Sequence, residues 1–231
     1  MFTPFVSGLS HLFFPVVCEG CDKPLVGAEE ILCISCAAQL PETGFHNYEG
    51  NEAALRLAGR IPFINATAFA HFTDDGLLQH LLHGLKYQQK KGTALYLGRL
   101  FGQQLLETAW IKNIDVIIPV PLHPKKEAKR GFNQSSIIAD GMAKVLGIPV
   151  STTGLLRTRE TESQTQKSRT ERVANMKDAF RINPNELLKH KHILICDDVL
   201  TTGATIEACA LALLAEETIK ISVATIGIAA S

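Results

Sequence analysis

The chain has 231 residues, 46% of them apolar, which is enough for one α/β domain of ordinary size with a small appendage and argues against global disorder. Lys plus Arg number 23 and Asp plus Glu number 23, so the formal net charge is zero and overall charge gives no argument for nucleic-acid binding.

From the amino end, the first seventeen residues are rich in Phe, Val and Leu, without a basic start or an Ala-x-Ala cleavage site. A secretory signal is therefore not expected, and the run is too short to cross a bilayer. Phe5, Val6, Leu9, Leu12 and Phe13 share one helical stripe and predict a short helix docked on the body of the protein. With no transmembrane segment elsewhere, the expected location is the cytoplasm.

Two CxxC units follow, Cys18 with Cys21 and Cys33 with Cys36. Each is a tight knuckle that presents two sulfurs to one ion, and the doubled spacing predicts a tetrahedral four-cysteine site, most often structural zinc. The ligand set does not by itself separate zinc from iron. Disulfides are the competing use, disfavoured in a reducing cytosol. The intervening turns are too short to build a core, so a metal would supply the folding energy. Cys196 and Cys209 occupy apolar positions and read as buried hydrophobes.

Pro41 to Gly59 is polar and loop-like, with a short helix near Ala53 to Leu57, and a soft module boundary falls there, between residues 1–59 and 60–231. Ile61 to Phe72 reads as a strand, Asp74 as the cap of a helix through Leu85, and a second helix follows Gly92. Ile114 to Val120 is a strand that runs into Pro121-Leu122-His123-Pro124 and a basic loop with Lys125, Lys126 and Arg130. A basic cluster at a helix start suits a polyanion, pyrophosphate being the natural candidate; its bland counterpart is a solvated cap. A helix is predicted from Asn133 to Leu146 and a short strand near Val150. Residues 157–172 are polar and charged, as expected of a lid or an idle surface loop.

The most informative run is His192 to Thr205. It predicts an apolar strand to Cys196, two acids at its end, a Thr-Thr-Gly loop and a helix N-terminus, the order with which α/β proteins hold a sugar phosphate. Asp197 and Asp198 would accept from ribose hydroxyls, and Gly203 lets the backbone approach closely. Ile219 to Ala224 is a last strand. Strands alternating with helices argue for a parallel sheet with right-handed crossovers.

The His192–Thr205 run resembles the phosphoribosyl pyrophosphate (PRPP) loop of type I phosphoribosyltransferases. In order along the chain, the four-cysteine knuckle, Leu85-Lys86-Tyr87, the Pro119 to Lys126 and Lys129 to Gln134 segments, the polar stretch to Phe180 and the Ile195 to Thr205 run resemble the ComF family, phosphoribosyltransferase-like proteins associated with bacterial DNA uptake. The resemblance spans roughly residues 15–227 and implies a type I phosphoribosyltransferase core, a parallel sheet flanked by helices, with an N-terminal zinc module. It implies that Asp197 and Asp198 contact the ribose 2′- and 3′-hydroxyls. Leu200, Thr201, Thr202, Gly203, Ala204 and Thr205 would bind the PRPP 5′-phosphate, Lys125, Lys126 and Arg130 the pyrophosphate, with magnesium bound alongside. Arg159, Thr161, Gln164, Arg172 and Asn175 would be lid residues, with Arg159 and Arg169 closing over the ligand. Glu162 and Ser163 depart from the family's usual Pro pair, and Gln166-Lys167 from its Gly-Leu. The resemblance leaves two activities open: transfer of a phosphoribosyl group, or PRPP binding without turnover in a protein that contacts single-stranded DNA or a helicase. The acceptor and the oligomeric state have no signature in the sequence.

Overall fold

The computed structural model describes residues 16–87, 90–158, 179–216 and 218–230. The predicted docked helix of residues 5–13 and all of residues 159–178, most of the polar stretch, lie outside them.

Four parallel strands form the centre: β1 (Ala66–Phe72), β2 (Val116–Pro119), β5 (His192–Leu200) and β6 (Lys220–Ala229), in the order β1-β6-β5-β2. The register runs from Ala66 opposite Val223, from His192 opposite Lys220 and from Val116 opposite Ile193. A single bridge from Ile117 to Val150 extends the β2 edge, where the sequence predicts a short strand. A separate antiparallel pair, β3 (Leu155–Arg157) and β4 (Phe180–Ile182), stands beside the sheet.

The two central strands are buried along most of their length and rich in apolar residues because helices cover both faces. Ile193 and Ile195 join Ile206, Cys209 and Leu213 of one helix, whereas Leu194 and Cys196 join Ile138 and Met142 of another. The first helix is α7 (Ala204–Leu213), and the second is α6 (Gln134–Leu146), which packs beside α4 (Lys91–Leu106). Gly98 and Gly141 make that packing possible: a Cβ on either would sit 2.2 Å from the Ile138 carbonyl oxygen or 2.4 Å from that of Leu95. α3 (Leu77–Tyr87) lies on the same face, and Leu78, Leu81, Leu82 and Leu85 are buried in the same cluster as Cys18, Leu32, Cys36 and Leu40. Two short helices, α1 (Ile34–Ala37) and α2 (Glu52–Leu57), precede the sheet, and α5 (Pro124–Arg130) follows β2.

Several boundaries differ from those expected. Asp74 does not cap α3; it lies in the preceding turn, where its carboxylate accepts from Gln79 Nε2 at 3.2 Å. The first strand begins at Ala66, not Ile61. β5 runs four residues past Cys196, to Leu200, because β6 continues alongside it to Ala229 and keeps its backbone paired. Asp197 and Asp198 therefore lie inside the strand, and the helix after the loop starts at Ala204 rather than Thr202.

His192 fastens the start of β5. Its side chain is buried, its Nε2 lies 2.9 Å from Ser222 Oγ on β6, and its backbone N–H donates to Asp115 Oδ2 at 2.7 Å. Burial, followed by the charge of Lys220, holds its pKa below the usual histidine value. A histidine with a depressed folded pKa stabilises the fold above the ordinary value and loses that contribution as pH falls toward the folded one, because the unfolded chain takes up the proton first. Thermal stability is accordingly expected to decline as pH drops from about 6.5, and His192→Gln to flatten that decline. A pH dependence of Tm equal in the two proteins would dissociate it from this residue.

Candidate phosphoribosyl site and cysteine cluster

β5 and β2 are neighbours, and their carboxyl ends bring two loops to one edge of the sheet. The Val120 N–H donates to the Cys196 carbonyl at 2.8 Å, so the segment that enters α5 leaves the sheet beside the acidic pair. Asp197 is 9% exposed; its Oδ1 accepts from Ser135 Oγ at 2.9 Å and from the Asp198 N–H at 2.9 Å. Asp198 is half-buried, and its Oδ1 accepts from the Val199 N–H at 2.8 Å. Each carboxylate is thus oriented by the peptide that follows it, and Asp197 also by the first turn of α6.

The loop after β5 is short. Thr201 and Thr202 are exposed, Gly203 is buried with φ +77°, and Ala204 begins α7. A left-handed residue at the N-cap turns the chain sharply and suits glycine. The Ala204 N–H approaches Thr202 Oγ1 at 3.4 Å. This places backbone amides, two hydroxyls and the positive end of α7 in one tight turn, a chemistry that suits a phosphate.

Lys125, Lys126 and Arg130 do not lie on a loop, as expected, but on α5. Pro124 at its first position and left-handed Gly131 at its end are the signals for this helix. Lys125 is exposed; Lys126 and Arg130 are half-buried, and Arg130 donates to Gln134 Oε1. Asn133, the predicted cap of α6, accepts from the Ser135 N–H at 3.1 Å and donates to the Val120 carbonyl at 2.9 Å, tying α6 to the end of β2. Arg159 and Arg169, the expected lid residues, lie outside the described residues.

Other groups at this edge carry roles that their sequence positions do not announce. Ser135 belongs to a capping cluster, yet its hydroxyl orients Asp197. Arg157 stacks its guanidinium 5.3 Å from the Phe180 ring centroid; burial lowers its pKa, while the neighbouring Cys209 and Asp197 act in the opposite direction. Arg56 and Arg60 hold the back of the Thr-Thr-Gly loop. A cavity of about 610 Å³ lies elsewhere, at the amino end of β1 among His46, Tyr48, Asn65 and Trp110.

The second cluster is that of Cys18, Cys21, Cys33 and Cys36, whose Sγ atoms all lie within 4.8 Å of one another. Cys21 and Cys33 Sγ are 3.8 Å apart, and the edge of a tetrahedron with spokes of about 2.3 Å is also about 3.8 Å. The Cys33 and Gly20 N–H groups point at Cys18 Sγ, at 3.2 and 3.4 Å. Burial disfavours the Cys18 thiolate, but the N–H groups of Cys33, Gly20 and Cys21 outweigh it and lower the thiol to about 7. Cys36 is pushed up to about 12, first by burial and then by the neighbouring thiols. A Cβ on Gly20 would come within 3.0 Å of Cys36 Sγ, so the knuckle is closed tightly around the sulfurs. The donor set and its spacing fit a four-coordinate metal such as zinc.

Comparison with known proteins agrees with this arrangement. A family model described as phosphoribosyl transferase domain matches residues 128–231. The chain is 30% identical over 215 residues to the DNA utilization protein YhgH of Salmonella typhimurium, covering 88% of this chain and 92% of that protein. It is 26% identical over 206 residues to competence protein F of Haemophilus influenzae, covering 84% and 89% of the two. Competence protein ComFC of Bacillus subtilis is 32% identical over 99 residues, 43% of this chain and 38% of that one. No helix among the described residues is long and apolar enough to cross a membrane.

Proposed function

As a member of the ComF family of phosphoribosyltransferase-like proteins, this chain, we propose, binds PRPP with magnesium at the carboxyl ends of β5 and β2 and transfers the phosphoribosyl group with release of pyrophosphate. The observation that carries this reading is the continuity of β5 through Asp197 and Asp198 into a left-handed Gly203 and the start of α7, with the basic helix α5 on the adjacent strand.

In this reading Asp197 and Asp198 accept from the ribose hydroxyls, and the amides and hydroxyls from Leu200 to Thr205 hold the 5′-phosphate. Lys125, Lys126 and Arg130 meet the pyrophosphate. Binding energy from the phosphate, remote from the reacting centre, aligns C1 for displacement. The C1–O bond to pyrophosphate breaks with its electrons leaving on oxygen, through an oxocarbenium-like transition state, while the acceptor nucleophile forms the new bond to C1 and gives up its proton. Magnesium, when bound, offsets charge on the leaving group; the carboxylates and threonine hydroxyls at this edge are the hard oxygen donors it prefers. The four-cysteine cluster holds structural zinc; a closed set of four thiolates leaves no position for substrate. Residues 1–59 carry this module and residues 60–231 the phosphoribosyltransferase core, in a reducing cytoplasm that keeps the thiols available to metal.

A second reading is favoured by the relatives named for DNA utilization and competence: PRPP binding without turnover, in a protein that contacts single-stranded DNA or a helicase. Calorimetric titration of PRPP in the presence of Mg²⁺, followed by a pyrophosphate-release screen over nucleobases and amines, separates the two. Affinity with release supports the enzyme. Affinity without release, together with salt-sensitive single-strand binding, supports the binder. No affinity at all removes both.

A further inference from the structure

The back of the Thr-Thr-Gly loop is gripped by two arginines that precede it by more than 140 residues in sequence. Arg56, on α2, donates from Nη1 to the carbonyls of Leu200 at 3.2 Å, Thr201 at 2.8 Å and Ala229 at 2.8 Å. Arg60, just past α2, donates from Nη1 to the Thr202 carbonyl and holds Glu207 Oε2 with Nη2 and, at 2.9 Å, with Nε. Three successive carbonyls, those of residues 200, 201 and 202, therefore face the guanidinium groups. In a planar trans peptide each N–H points opposite to the carbonyl that precedes it. The amides of Thr201, Thr202 and Gly203 are thereby turned to the side away from the arginines.

Contacts at Gly203 and Glu207 sharpen this. A Cβ on Gly203 would lie 3.0 Å from Arg60 Nη1 and 3.1 Å from Leu57 Cδ2, so the guanidinium packs directly against the glycine. Glu207 lies in the first turn of α7, where its carboxylate would repel an arriving anion. Its ion pair with Arg60 leaves each side chain 17% exposed, so the negative charge is neutralised largely out of water.

We infer that Arg56 and Arg60 are positioning residues for phosphate binding: they fix the peptide orientation of residues 200–203 so that the amides face the anion, and Arg60 cancels the charge of Glu207 beside it. Residues 52–60, outside the region matched by the phosphoribosyl transferase domain, then form the rear wall of the phosphate cradle. This inference rests on the reading of that loop as a phosphate site.

The variants are Arg60→Gln and the conservative Arg60→Lys, in the full chain with its metal. Two measurements apply to each: the backbone amide resonances of residues 201–204 in the ligand-free protein, and affinity for ribose 5-phosphate by calorimetry. Expected are displaced resonances confined to the loop and an affinity at least tenfold weaker in Arg60→Gln. Arg60→Lys, which restores the charge beside Glu207 but not the two-sided reach to the Thr202 carbonyl, regains thermal stability and only part of the affinity; a purely structural tether would recover both together. Adding Glu207→Gln to Arg60→Gln should return part of the affinity. Unmoved resonances with wild-type affinity in either single variant overturn the proposal. If the unaltered protein does not bind ribose 5-phosphate, the phosphoribosyl reading falls, and the resonances alone then decide whether the arginines set the loop. Should Arg60→Gln fail to fold, Arg60→Lys carries both measurements.

Discussion

Replacing Asp197 and Asp198 together by asparagine is expected to weaken Mg²⁺-dependent PRPP binding by at least about 100-fold, and to abolish pyrophosphate release where release occurs. A hydrogen bond to a charged group contributes about 1.5–3 kcal/mol, so two ribose hydroxyls deprived of carboxylate partners lose about 3 kcal/mol or more, and each 1.4 kcal/mol is tenfold in affinity. The fold should survive. An asparagine carbonyl at position 197 can still accept from Ser135 Oγ and the Asp198 N–H, the bonds that Oδ1 now makes. A Tm within a few degrees of the unaltered protein, alongside collapsed affinity, is the signature of a site rather than of a structural residue. The Ser135→Ala variant adds a graded control: it removes one donor that orients Asp197 and should weaken binding less than the double replacement. Calorimetry with PRPP and Mg²⁺ provides the check. Unchanged affinity in the double variant would show that the strand-end acids do not hold the ribose.

How far the sequence revealed this site depends on the range of the interactions involved. The run from His192 to Thr205 is legible because a buried parallel strand shows as a continuous apolar stretch and because its acids and glycine follow directly in sequence. The far end of β5 was not legible, since its extension to Leu200 depends on where β6 pairs with it. α5 carried its own punctuation in Pro124 and Gly131, yet its four basic residues hid it as a loop. Ser135 shows the limit of a local rule. Its position at a helix start explains it fully as a capping residue, and only the adjacency of β2 and β5 reveals that its hydroxyl serves Asp197. Arg56 and Arg60 lay beyond any local rule. They sit in and after a six-residue helix; their partners in the loop are backbone carbonyls, which have no residue type, and the carboxylate that Arg60 also holds, Glu207, is 147 residues away in sequence.

The cysteine cluster leads to the other large expected effect. Cys21→Ser and Cys36→Ser should each abolish stoichiometric metal and lower Tm by more than roughly 10 °C, since in a chain of this size about 2–4 °C accompanies each kcal/mol and structural zinc contributes about 10–16 kcal/mol of apparent binding energy in small zinc modules. The loss should not stay local. Cys18, Cys36, Leu32 and Leu40 are buried in one cluster with Leu78, Leu81 and Phe101 of α3 and α4. Glu19 accepts from Thr93, and Arg99 reaches Glu30, so the knuckles are fastened to α4 by polar contacts as well. Cys209→Ala provides the contrast: that thiol is fully buried but, among the described residues, belongs to no metal-ligating group, and its loss should leave a cavity without changing metal content. Metal analysis of the purified protein distinguishes zinc from iron, since a ferric site of four thiolates is coloured and a zinc site is not. A folded protein with four reactive thiols and no stoichiometric metal would refute the site itself. In that case the 3.8 Å sulfur spacing would have to arise from packing alone, and the turns between Cys18 and Cys36 would need another source of folding energy than the one their spacing indicates.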